Sequence, residues 1–124
     1  VAITAEPLMP TPLMAIIIGG IGGALVFAGT ELLTAMKIDD VVGAIPVHLI
    51  AGVWGTLAVP ITNPDTSFGT QFLGTASICV FVFVVSIIIW SIMKATIGIR
   101  ISEEAEKEGT DVAETGVIAY SIRD

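Results

Sequence analysis

The sequence predicts an all-α fold, a polytopic helical bundle embedded in a membrane, and three observations carry that expectation. Hydrophobic residues make up 54% of the chain and charged residues only 14%, with a mean hydropathy of +0.93, a balance that belongs to membrane proteins rather than water-soluble domains. Three apolar runs, at about 13–36, 41–61 and 71–100, are each long enough to cross a bilayer core roughly 30 Å thick, for which a helix needs about 20 residues. The net charge of −7 gathers beyond Ser102, where Glu103, Glu104, Glu106, Glu108, Asp111, Glu114 and Asp124 face only Lys107 and Arg123. Residues 1–101 are therefore read as membrane-embedded and 102–124 as a peripheral tail, too polar to enter lipid.

Residues 1–4 read as the end of an earlier apolar segment. The chain begins with Val1, with no basic leader ahead of an apolar stretch, so it is expected to be the C-terminal part of a larger protein. Pro7, Pro10 and Pro12 exclude a continuous helix before the first run. Inside that run Gly19, Gly20, Gly22 and Gly23 cluster. Gly19 with Gly23 forms a GxxxG pair, which in a membrane lets a second helix approach closely; a pore-lining face is the other reading. Glu31 is placed near the far interface. Residues 37–40 form a polar turn in which Asp39 or Asp40 is expected to cap the next helix, its carboxylate accepting from unpaired first-turn amides.

The second run, residues 42–61, is the stretch around which the others are arranged. Pro46 deletes the bond its amide would make to the carbonyl of Val42, so a bend is expected just before His48. His48, the single histidine, lies within this uncharged span. An ionisable group at membrane depth points to a pathway, a proton relay or a ligand contact. Imidazole is the group most easily buried neutral, since its unperturbed pKa is about 6.5. The structural reading, a histidine hydrogen-bonded to a neighbouring helix, stands beside the functional one. Ala44, Gly52 and Gly55 recur at one- and two-turn spacings around His48, a small face for another helix or a narrow passage. Trp54 lies off that face and is read as a packing or interface residue.

Residues 62–69 are turn-rich and contain neither lysine nor arginine. The third run is hydrophobic through Met93, and residues 95–101 extend it, with Gly98 loosening the end. Cys79, the single cysteine, has no partner for an intrachain disulfide and is assigned to packing. With three spans, the Lys37 turn and the tail share one side of the membrane. All five basic residues, Lys37, Lys94, Arg100, Lys107 and Arg123, fall there, and the positive-inside rule makes that side cytoplasmic. No basic patch supports nucleic-acid binding. No nucleophile–base pair, metal-ligand cluster or phosphate loop supports an enzyme, and no cofactor is expected.

The sequence resembles the ammonium transporter family (Amt/Mep/Rh) over nearly its whole length. The likeness rests on Ile38-Asp39-Asp40, on Val47-His48 followed by Gly52-Val53-Trp54-Gly55-Thr56-Leu57-Ala58-Val59, and on Lys94-Ala95-Thr96-Ile97-Gly98-Ile99-Arg100. It continues through Ser102-Glu103-Glu104, Glu108-Gly109, Asp111, Gly116 and Ala119-Tyr120. Several blocks in order make a specific signal. The resemblance implies the last three of eleven spans, a cytoplasmic C-terminus in the inner or plasma membrane, and a homotrimer with one pore per subunit. It implies that His48 is the second of two histidines facing one another in a hydrophobic pore, the other lying on an upstream span. It also implies that the tail, with Glu103, Glu104, Asp111 and Tyr120 at matching positions, docks against the pore mouths and meets a PII signalling protein. Five positions depart from the family pattern: Val41 stands where proline is frequent, Leu49 where glycine is, Thr115 where histidine is, and Val117 and Ile118 where polar residues are usual. Leu49 points about 100° away from His48 on a helix and leaves its face unchanged.

The expected function is transmembrane passage of ammonium or ammonia. The alternatives are an ammonium sensor of the same family signalling through its tail, or a small three-span structural subunit. Glu103 and Glu104 are close enough in sequence to Lys94 and Arg100 to pair with them at the membrane surface.

Overall fold

A computed structural model describes residues 1–118 of the chain. It is helical, with no strand among the described residues, and three of its helices are long and apolar enough to cross a membrane. Tyr120 and the remainder of the tail's end lie outside the described residues.

Helix α1 runs Pro12–Ala35. The Thr11 hydroxyl accepts from the amide of Met14, and Pro12, whose φ is already helical and whose missing N–H would have had no partner, takes the first position. At the far end Lys37 sits at φ +57 and the amide of Ile38 bonds back to the carbonyl of Leu33 at 3.0 Å, a left-handed cap that closes the last turn.

The second span is Ile45–Thr62, but its first turn is not α-helical. Ile45–Ile50 is π-helical, and the amide of Ala51 donates to the carbonyl of Pro46, five residues back. The expected bend at the proline thus takes the form of a widened turn, since a ring without an N–H breaks the regular ladder. Asp40 is the capping residue of the pair: its two carboxylate oxygens accept from the amides of Ala44 at 2.8 Å and Ile45 at 2.7 Å. Helix α2, Ala51–Thr62, continues the span.

α1 and the second span form an antiparallel pair held by small-residue contacts. Ile18, Ala58 and Ala2 make a buried cluster, with Trp54 and Ile3 against it. Gly22 lies beside Ala2, Ala51 and Trp54, while Gly29 lies beside Pro46 and Ile50. A methyl group on Gly29 would stand 2.6 Å from Ile50 Cδ1, and one on Gly22 would stand 2.6 Å from Ala2 Cβ. These two glycines, two turns apart, are where the backbones close. Within this chain the close approach is not made at the expected GxxxG pair: around Gly19, Gly20 and Gly23 an added Cβ would meet nothing within 4 Å. A helix turns about 100° per residue, so Gly22 faces the partner and its neighbours point away.

Helix α3, Phe68–Thr96, buries none of its residues. Phe72 is 65% exposed, Phe81 67% and Trp90 56%. So much contiguous apolar surface on a 29-residue helix suits lipid or further spans and not water. The helix stops at Thr96, short of residue 100, and Gly98 follows at φ +77. The chain divides into two compact units, Val1–Phe81 and Val82–Asp124. In the second, the short helices α4, Glu103–Glu108, and α5, Thr110–Thr115, flank Gly109 at φ +106.

Candidate functional site

His48 is carried by the π-helical turn, and its depth is read from α1. Its neighbours Pro46 and Ile50 stand beside Gly29, and α1 continues from Thr30 to Ala35, roughly 9 Å further at 1.5 Å per residue. His48 is therefore about two turns in from the end of α1, although only a turn from the start of its own helix.

The imidazole is exposed within this chain and lines a groove of about 410 Å³. One wall is His48, Leu49, Gly52, Val53 and Thr56; the other is one face of α3, with Gln71, Thr75 and Cys79. A volume of about 10–15 Å³ holds one water, so this is a trough for a chain segment or a file of small molecules. No carboxylate, lysine or arginine lines it. His48 makes no hydrogen bond to another described residue, leaving both ring nitrogens free to engage what enters.

The three small residues expected around His48 have different neighbours. Gly52 lines the groove, and a Cβ there would meet only Val1 Cγ1, at an ordinary 3.9 Å. Gly55 is buried on the opposite side, and a Cβ would run into the backbone carbonyl of Ala2. Ala44 has an exposed side chain and gives its amide to Asp40. Trp54 is a packing residue: its Nε1 donates to the carbonyl oxygen of Ile18 at 3.0 Å, bridging the two helices. At the other end of the pair Asn63 Nδ2 donates to Glu6 Oε2 at 2.7 Å and ties the proline-rich segment to the end of α2.

The α3 wall was not anticipated from sequence. Its signal is there, three residues four apart (Gln71, Thr75, Cys79) that carry polar groups and that a helix places on one face. Cys79 is a free, half-buried thiol on that wall. Among the described residues no group of three His, Cys, Asp or Glu side chains could hold a metal ion.

In the tail, the expected pairing of Glu103 and Glu104 with Lys94 and Arg100 is corrected. Arg100 pairs with Glu106 at 2.8 Å, and Glu103 with Lys107 at 2.7 Å. The Ser102 hydroxyl caps α4 by accepting from the amide of Ala105 at 3.2 Å, so Glu106, on the helix's first turn, comes round toward Arg100 while Glu103 meets the residue four ahead. The Glu106 hydrogen bond, and then its charge, push the fully exposed Arg100 guanidinium above its ordinary pKa. Among the described residues no ion pair includes Lys94 or Glu104. Asp111 opens α5 and carries an interaction of its own.

Known proteins are similar to this sequence. A family model described as the Ammonium Transporter Family matches residues 1–120. An ammonium transporter of Bacillus subtilis is 36% identical over 97% of the chain and 34% of its own length. Ammonium transporter Amt2 of Archaeoglobus fulgidus is 33% identical over 97% of the chain and 30% of its length, and Amt1 of Haloferax mediterranei 34% identical over 85% and 21%. The chain thus spans about a fifth to a third of these relatives' length. No solved structure matches it with significance. With three membrane-spanning helices and a family match that leaves out only its last four residues, this chain belongs to the ammonium transporter family.

Proposed function

We propose that this chain forms the last three spans and the tail of an ammonium- or ammonia-conducting membrane protein, and that His48 lines its passage. The observation that carries the reading is the groove: an ionisable side chain with no partner faces an uncharged trough between two membrane helices. Moving a bare ammonium ion into so apolar a passage carries a Born cost of order 20 kcal/mol before compensation. An imidazole that stays neutral offers one donor and one acceptor, which suits ammonia and gives a second nitrogen for passing a proton. Sodium and potassium cannot shed their charge and are refused.

The trough is open on this chain's side, so the facing wall, including a second histidine, comes from upstream spans of an eleven-span subunit that assembles as a homotrimer. The basic residues near the membrane, Lys37, Lys94 and Arg100, support a tail on the cytoplasmic side by the positive-inside rule, where a PII signalling protein would meet it. The test is uptake of labelled methylammonium by the full-length protein in liposomes. His48→Ala is expected to change its rate or its exclusion of potassium while assembly is preserved. Wild-type uptake and wild-type exclusion in that variant would reject a passage lined by His48.

A further inference from the structure

We propose that Gly29, on α1, is a positioning residue for the passage: it seats Pro46 and Ile50, near the two ends of the π-helical turn, and so holds His48 toward the groove. The inference deepens the conduction reading and rests on it. Gly29 is buried, and a methyl group there would stand 2.6 Å from Ile50 Cδ1 and 3.2 Å from Pro46 Cβ. Pro46 is fully buried, and its ring is tied to the backbone, so it cannot swing aside as a longer side chain could. Ile50 is β-branched and has few rotamers to retreat to in a helix. Thus α1 touches the turn on either side of His48, while His48 itself, two residues from each contact, lies on the groove.

The width of the turn is what puts these residues in place together. In a regular α-helix, at about 100° per residue, Pro46 and Ala51 would stand about 140° apart and could not share a face. Both are buried against α1, Pro46 beside Gly29 and Ala51 beside Gly22. The extra residue that a π-helical turn accommodates, with the Ala51 amide reaching back five residues to Pro46, closes that angle. His48, midway round the widened turn, is thereby directed away from α1 and into line with Gly52 and Thr56 on the groove wall. A side chain at Gly29 would push the turn off its seat. The imidazole, hydrogen-bonded to no other described residue, would move with it.

The experiment uses the full-length protein in liposomes, with methylammonium as the probe and uptake counted per assembled protein. Gly29→Ala is expected to lower the maximal rate about tenfold, short of the roughly hundredfold that a misplacement of about 1 Å can cost. KM should stay near wild type, because His48 lies inside the passage and not at its mouth. Adding Ile50→Val, which removes Cδ1, should restore most of the rate. Gly22→Ala is the control: its methyl is as crowded, 2.6 Å from Ala2 Cβ, but sits two turns away along α1 and should leave the rate per assembled protein unchanged. Pro46→Ala, which loosens the seat without crowding it, should slow uptake as well. A wild-type maximal rate in either Gly29→Ala or Pro46→Ala overturns the proposal. So does a Gly22→Ala variant as slow as Gly29→Ala, since the loss would then be one of general packing, and so does a double variant no faster than the single one. If Gly29→Ala does not assemble, the rate of Pro46→Ala decides. If the wild-type protein carries no methylammonium, the conduction reading fails and takes this inference with it. Normal wild-type uptake with an unaltered Gly29→Ala or Pro46→Ala variant fails this inference alone.

Discussion

Trp54 reaches across from α2 and donates its indole Nε1 to the carbonyl oxygen of Ile18, 3.0 Å away, on α1. That oxygen already belongs to the backbone ladder of α1, so the contact joins two spans without breaking either. Beside it, Ile18 packs with Ala2 and Ala58, the tightest apolar cluster of the pair. The bond thus pins the register in which the small residues meet.

Trp54→Phe keeps most of the apolar area and deletes the donor. Interhelical hydrogen bonds in membranes are worth about 0.6–2 kcal/mol, and a loss of that size is expected in detergent-resistance or thermal-melting assays of the full-length protein. Unchanged stability would mean that the indole serves only as bulk.

Gly55 and Gly52 are predicted to differ although they are three residues apart. A methyl at Gly55 collides with the backbone of Ala2, which cannot rotate away, whereas one at Gly52 meets a single side-chain methyl at 3.9 Å. Gly55→Ala should therefore lower stability by about 1–3 kcal/mol, the usual range for overpacking, and Gly52→Ala by much less. Melting curves of the two variants side by side decide it, and equal losses would contradict the assigned faces.

Asp40 holds two amides of the second span's first turn and Asp39 holds neither. Asp40→Ala is expected to destabilise by about 0.5–2 kcal/mol and Asp40→Asn by less, since one acceptor remains. Hydrogen exchange at Ala44 and Ile45 should accelerate in Asp40→Ala and stay slow in Asp39→Ala.

The tail prediction follows from the proposed cytoplasmic docking. Removing the residues after Ser102 should reduce methylammonium uptake or abolish its inhibition by a PII protein. The Arg100–Glu106 pair is solvent-exposed and weak on its own. Glu106→Gln should therefore leave basal uptake unchanged and, if the tail docks through several such contacts, weaken inhibition in a salt-dependent way. A truncated protein that matches wild type in rate and in shut-off would make the tail passive.

The membrane-spanning helices were legible from residue order because they answer to the bilayer alone. A run of apolar residues must cross about 30 Å with every backbone group paired, and only a helix of that length does so. The cap at residues 39–40 and the disturbance at Pro46 were legible too, since an amide lost to proline or satisfied by a carboxylate is a local matter. Which face of each helix meets a neighbour is not local. Gly22, Gly29 and Gly55 close on partners while Gly19 and Gly23 do not, because the rotation of α1 is decided by what Ala2, Trp54 and Pro46 bring against it. The same holds for Arg100, whose partner is Glu106 rather than a closer glutamate because the Ser102 cap sets where α4 begins. The groove beside His48 is the sharpest case: its second wall is a face of α3, and no local rule in the sequence fixes where that helix stands beside the second span.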